Sequence, residues 1–138
     1  MMLAAEATPD VLDRLRAAGL RPTRQREALA RLLFTEMDRH VTAEELHREA
    51  LLAGSKVALA TVYNTLHQFV TAGLLREIVI DAGRSYFDTN IVDHHHFYFE
   101  TSGRLEDIPA PQVTISRIPD PPAGCKVKRV EVVVRVEG

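Results

Sequence analysis

Three consecutive histidines, His94, His95 and His96, follow Asp93 well inside the chain. Imidazoles side by side have no packing rationale, since they repel once protonated and each needs hydrogen-bond partners if buried. On an extended backbone alternate side chains share a face, so His94 and His96 point one way and His95 the other. The Cβ atoms of the first and third then stand about 6–7 Å apart, a span that one metal ion can bridge. Asp88, Glu106 and Asp107 are the neighbouring oxygen donors. Mixed nitrogen and oxygen ligation without thiolate suits Fe(II), Mn(II) or Zn(II) and disfavours Cu(I). Imidazole also ligates haem iron, so spacing alone leaves a divalent metal and haem on His94, His95 and His96 both open. The blander alternative is a solvated histidine run, against which the flanking acids and aromatics speak.

Other residues of these types carry weaker signals. Taken alone, His40 reads as an ordinary surface histidine ahead of a helix. His47 reads as a helix-surface residue, and His67 as the same or as a base or phosphate contact. Cys125, in Pro-Pro-Ala-Gly-Cys, reads as a half-buried filler at a turn, with a redox or haem thiolate as the alternative. As the single cysteine it excludes an internal disulfide and a four-cysteine zinc site. No nucleophile is paired with a base, and there is no glycine-rich phosphate loop and no HExxH. The chain therefore reads as no enzyme. A metal-binding enzyme or storage protein is the different-class alternative, and it leaves the arginines described next unexplained.

Net charge is -2, but between Arg14 and Arg31 stand Arg14, Arg16, Arg21, Arg24, Arg26 and Arg31 against the single acid Glu27. A local field of that sign suits a phosphate backbone whatever the total, though an ordinary solvated helix face is the alternative. The length of 138 residues suggests two small units. Halves of that size bury little surface, which predicts a homodimer. The opening MMLAAEATPD has no basic n-region or long apolar run, and no stretch of 18 apolar residues occurs. A signal peptide and a membrane span are not expected, and the cytoplasm is.

The spacing predicts a first helix from Pro9 to Ala18, capped by Thr8 and closed at Gly19. A second opens at Thr23 and runs from Arg24 to Phe34, burying Ala28, Leu29, Leu32 and Leu33. Thr42 and Glu45 form a capping box for a third, which holds Leu46 and Ala50. In the fourth, Leu59 to Ala72, one face gathers Leu59, Val62, Leu66, Phe69 and Val70. The other gathers Ala60, Thr61, Asn64, His67 and Gln68, with Tyr63 at the border and no carboxylate. Short polar groups without negative charge suit a major groove. Leu75–Ile80 and Arg84–Phe87 around Asp81-Ala82-Gly83 read as a hairpin, with Arg76 and Arg84 offering charge to the DNA backbone. This is the order of a winged helix-turn-helix. Further strands are predicted over His96–Phe99, Gln112–Ile118 and Arg129–Glu137. In the last, Val130, Val132, Val134 and Val136 alternate with polar residues.

Ala60-Thr61-Val62-Tyr63-Asn64-Thr65-Leu66, Gly73-Leu74-Leu75 and Asp93-His94-His95-His96 together resemble the ferric uptake regulator (Fur) superfamily over nearly the whole chain. Gly19-Leu20-Arg21-Pro22-Thr23-Arg24-Gln25-Arg26 and Tyr86-Phe87-Asp88-Thr89-Asn90 look closest to the iron response regulator (Irr) branch of alphaproteobacteria, which is linked to haem. The resemblance implies an α+β fold with a winged-helix DNA-binding domain and hinge over residues 1–88. A small α/β dimerisation and metal-sensing domain would follow over 89–138. It implies a metal- or haem-responsive regulator of iron homeostasis that binds palindromic, AT-rich double-stranded operator DNA as a dimer. A manganese- or peroxide-responsive relative without haem sensing is the alternative within the family.

By the same resemblance the regulatory metal ligands are His40, Asp88, His94, His96 and Asp107. Asp93 and His95 match an additional site seen in some relatives. Tyr63 would lie against thymine methyls or the backbone, and Arg21 near the minor groove. With Thr61, Asn64, Gln68 and Arg76 they complete the expected DNA contacts. Most relatives carry one or two CxxC pairs that hold structural zinc. Here Phe99 and Ser102 stand in the first pair and no second exists, so no structural zinc is expected, with Phe99 packing where a thiolate would sit.

Overall fold

The computed structural model describes residues 10–138, so Thr8 and Pro9 lie outside the described residues. The chain forms two compact units, the first ending at Ile91 and the second beginning at Val92. The expected domains were 1–88 and 89–138.

Four helices and a small sheet make the first unit. Helix α1 spans Val11–Ala17 and buries Val11 and Leu15. It ends at Gly19, whose φ of 82° lies in the left-handed region. There the N–H of Gly19 donates to Arg16 O and that of Leu20 to Leu15 O, each at 2.9 Å. These bonds use helix carbonyls that would otherwise lack partners. Helix α2, Arg24–Leu33, starts where the Thr23 hydroxyl accepts from the Arg26 N–H, and it buries Leu29, Ala30 and Leu33. Helix α3, Ala43–Leu52, carries the full capping box, with Thr42 and Glu45 each accepting from the other's backbone N–H. Helix α4, Leu59–Thr71, buries Val62, Thr65, Leu66 and Phe69 and closes at Gly73 as α1 does at Gly19. These apolar faces meet in one core around Leu15, Leu29, Leu33, Leu46, Leu66 and Phe69. Burying such a side chain contributes about 1.5–3 kcal/mol.

The expected hairpin is present as β2, Arg76–Asp81, and β3, Arg84–Asp88, joined by a tight turn in which Gly83 N–H donates to Asp81 O. A third strand, β1 at His40–Val41, pairs antiparallel with β3 on the side away from β2. Two residues offer no periodicity, so pattern reading could not find it. Arg39 secures the lead-in to β1. Its guanidinium donates to both carboxylate oxygens of Glu49, at 2.9 and 2.6 Å, and to Leu32 O. Its backbone exchanges bonds with Thr89.

The second unit is a three-stranded sheet of order β5-β4-β6. Its strands are β4 at His94–Phe99, β5 at Leu105–Pro109 and β6 at Val133–Val136. Strand β4 is antiparallel to β5 and parallel to β6. The only helical piece among its described residues is a 3-10 turn at Ala110–Gln112.

Two expected strands are corrected here, and one unexpected strand is added. Gln112–Ile118 forms no strand; after Pro111 the segment is mostly exposed and pairs with no neighbour. The strand beside β4 is instead Leu105–Pro109, which uses Pro109 only as its last residue, where a missing N–H costs no ladder bond. The last strand covers Val133–Val136 rather than 129–137, leaving Val130 38% and Val134 37% exposed.

Candidate metal centre and DNA-reading face

Strand β4 begins at His94, so all three histidines have extended backbone and alternate as a strand requires. Asp107 stands directly across from His96 in the β4–β5 ladder, which places its carboxylate on the face shared by His94 and His96. Its Oδ1 lies 3.6 Å from His94 Nε2 and 3.3 Å from His96 Nε2. The two imidazoles are 4.5 Å apart between ring centres. Each of the three side chains offers a ligand atom within 4.8 Å of the others. Both rings are buried, at 6% and 1% exposure, while the Asp107 side chain is 42% exposed.

The tautomer of His94 follows from its neighbour. Its Nδ1 sits 2.5 Å from the carbonyl oxygen of Val92, and a carbonyl can only accept, so Nδ1 carries the proton. With Nδ1 committed to Val92, His94 has Nε2 left to face Asp107. An imidazole held at one nitrogen by a backbone carbonyl and turned to a carboxylate with the other is the arrangement in which a cation, a proton or a metal ion, sits between the two. Two imidazole nitrogens and a carboxylate fit Mn(II), Fe(II) or Zn(II).

His95 belongs to the other face. It is buried, and its Nδ1 accepts from the N–H of Val132 at 3.0 Å, tying β4 to the residue leading into β6. With the Nδ1 lone pair accepting from Val132, the ring proton sits on Nε2, so neither nitrogen offers a free lone pair to a ligand. Glu106, considered as an oxygen donor, is exposed and pairs with Arg104 instead. Phe99 and Ser102 close the β4–β5 hairpin. The Arg104 guanidinium lies 4.2 Å from the Phe99 ring centre, and Ser102 Oγ accepts from Arg104 N–H.

In the first unit Asp88 is 1% exposed at the end of β3 and accepts from Asn90 N–H. It stands opposite His40 of β1 on one side and Arg76 of β2 on the other. His40 also stacks on Tyr86, with centroids 6.3 Å apart. Arg76 was expected to offer charge on the DNA side. Arg76 is 9% exposed and buried beside Asp88, whereas Arg84 at the start of β3 is exposed. The polar side of α4 presents Asn64, His67 and Gln68 to solvent, with Thr61 and Tyr63 half-buried. Carboxylates nevertheless reach this face from neighbouring elements, which a reading of α4 alone could not anticipate. Tyr63 donates its O–H to Glu44 of α3 at 3.0 Å, and His67 Nε2 lies 3.7 Å from Glu77 of β2. The hydrogen bond to Glu44, with burial and the carboxylate's charge adding to it, holds the Tyr63 phenol above its usual range. Arg21 and Arg24 are exposed and make no side-chain bond or ion pair among the described residues. His47 Nε2 meets Val57 O at 3.0 Å, a structural role.

A basic helix-turn-helix unit followed by a sheet that gathers histidines and a carboxylate defines the class of metal-responsive transcription regulators. The chain belongs to the ferric uptake regulator family, whose model matches residues 17–134. Members of this family are transcription regulators and not enzymes. A 99-residue stretch is 34% identical to the peroxide-responsive repressor PerR of Staphylococcus aureus strain Mu50, covering 72% of this chain and 66% of that protein, just under two thirds of its length. The structure of the ferric uptake regulator from Pseudomonas aeruginosa with manganese is similar at a TM-score of 0.68 and 26% identity, over 91% of this chain and 96% of that one. The Vibrio cholerae ferric uptake regulator shares the fold at a TM-score of 0.72 and 22% identity, over 94% and 100%. No helix among the described residues is long and apolar enough to cross a membrane.

Proposed function

We propose that this chain is a divalent-metal-responsive repressor that binds palindromic, AT-rich operator DNA as a homodimer in the cytoplasm. The observation that carries the reading is the convergence of His94 Nε2, His96 Nε2 and Asp107 Oδ1 on one point. Asp88 and His40 complete the ligand set in this reading. They face each other across β1 and β3, and only residues 89–93 separate Asp88 from His94 along the chain. The first unit then reads DNA through α4, with Tyr63, Thr61, Asn64 and Gln68 toward bases and Arg21 toward phosphate. The second unit senses metal and dimerises. It buries few large apolar residues and exposes Ile115, Ile118, Val127, Val130 and Val134, which a second copy would cover. Ligands drawn from both units would be brought together only in some arrangements of those units, so ligation favours those and changes the fit to DNA.

Fe(II) and Mn(II) are the proposed physiological ions, and Zn(II) is expected to bind in vitro. The P. aeruginosa relative was solved with manganese, which favours this set. Peroxide sensing through a bound metal is a second reading, favoured by the 34% identity to a peroxide-responsive repressor. The haem-responsive reading rests on the resemblance to the iron response regulator branch. It receives no support from His95, whose Nδ1 is engaged by Val132.

An anaerobic titration of metal-stripped protein with Mn(II), Fe(II) and haem tests this, read by absorbance and by retention of an AT-rich palindromic duplex. Metal-dependent retention that Asp107→Ala abolishes is the expected result. Retention independent of every divalent ion would overturn the reading, and retention that responds to haem alone would replace it with the haem-responsive one.

A further inference from the structure

Gln68 lies on the exposed face of α4, one helical turn after Asn64. Its side-chain carbonyl oxygen is already engaged. Arg26 of α2 donates to Oε1 from Nε at 3.1 Å and from Nη2 at 3.0 Å. A guanidinium has five donors and no acceptor, so only the oxygen of the amide can face it, and the orientation of the amide follows from chemistry alone. Arg26 is itself held in place. Its Nη1 donates to the carbonyl oxygen of Arg21 at 2.8 Å, in the connection that ties α1 to α2. The Gln68 NH2 group is thereby turned away from Arg26 and toward the open side of the helix.

A glutamine in the major groove ordinarily reads adenine with two bonds, accepting from N6–H and donating to N7. With Oε1 engaged, the accepting half of that pattern is lost. A side chain that can only donate keeps one bond to adenine N7 instead of two, and matches O4 of thymine or O6 and N7 of guanine equally well. The surroundings choose between them. Gln68 lines an open groove of about 590 Å³ whose apolar wall includes Ala18, Leu20 and Ala72. Thymine carries a C5 methyl beside its O4, and neither purine has such a group.

We propose that Gln68 is a donor-only reader of thymine, its NH2 donating to O4 while the thymine methyl meets the groove wall of Ala18, Leu20 and Ala72. Arg26 is the positioning residue that removes adenine's two-bond advantage by occupying Oε1. This rests on the reading of the first unit as DNA-binding.

The test is selection from a random double-stranded DNA library in the presence of Mn(II), with the parent, Arg26→Ala and Gln68→Leu compared and circular dichroism as a folding control. The parent is expected to enrich one thymine per half-site that Gln68→Leu no longer prefers, a loss of about tenfold in discrimination. Arg26→Ala, which releases Oε1, should retain adenine at that position to within about threefold of thymine. Uracil in place of that thymine should weaken the parent by roughly threefold, since one methyl contact is lost. A merely structural role for Arg26 would lower all affinities together and leave base preference unmoved. Unchanged preference in a folded Arg26→Ala protein, guanine at the Gln68 position, or indifference to uracil each overturns the inference while leaving DNA binding standing. A folded parent that enriches no sequence overturns both.

Discussion

Val132 donates its backbone N–H to Nδ1 of His95 at 3.0 Å, while the rings on either side of His95 turn their Nε2 atoms toward Asp107. One run of three like residues thus divides its labour by strand alternation. His95→Ala should therefore cost stability rather than metal. It leaves a half-buried N–H without its acceptor and opens a cavity, a loss of about 1–3 kcal/mol. Thermal denaturation should fall by several degrees, while Mn(II) titration changes by less than about threefold. Loss of metal binding in His95→Ala without loss of stability would reverse the assignment.

The two flanking histidines carry the opposite expectation. His94→Ala with His96→Ala removes both nitrogen donors of the second unit and should lower Mn(II) affinity by more than about a hundredfold. Circular dichroism should stay close to that of the parent. A double variant that titrates like the parent would remove the basis for the proposed centre.

The bond from Tyr63 to Glu44 gives a pH signature. A raised phenol pKa means that this group's contribution to folding is fully present below its unfolded value of about 10 and is lost as pH rises through the folded value. Phenolate absorbance compared between the parent and Tyr63→Phe should show Tyr63 titrating above the ordinary range. Glu44→Gln should bring it back down. The same variant should strengthen DNA retention modestly, because it removes a negative charge beside α4.

Salt dependence separates the exposed arginines from the buried one. Arg21→Ala and Arg24→Ala should each lower the slope of log affinity against log salt by about 0.9 if each neutralises one phosphate. Arg76→Ala should leave that slope unchanged and instead destabilise the first unit, since Arg76 lies beside Asp88 in the sheet. A reduced slope for Arg76→Ala would return it to the DNA interface.

Sedimentation checks the proposed assembly. The protein at micromolar concentration should sediment as a dimer, because the exposed valines and isoleucines of the second unit have no cover within one copy. A monomer at that concentration would mean that these side chains face solvent.

Local rules were enough to read the helices. The Thr23 cap, the Thr42–Glu45 box and the stops at Gly19 and Gly73 depend only on residues within a turn of each other. The alternation of His94 and His96 against His95 was legible for the same reason, because the side-chain period of a strand is a property of one segment. Where partners lie far apart in the chain, pattern gave no access. Strand β1 exists only because β3 offers it a ladder, and that pairing sets His40 opposite Asp88. Gln112–Ile118 has a strand's composition but no neighbour to bond with. Arg76 looked like surface charge until its register beside Asp88 buried it. Glu44 and Arg26, which hold Tyr63 and Gln68, come from other helices than the one they modify. Residue type and short-range spacing determined which side chains this protein has available for metal and DNA. Only the tertiary structure decided which of their atoms remain open, because hydrogen bonds between distant segments occupy some donors and acceptors and leave the others to a ligand.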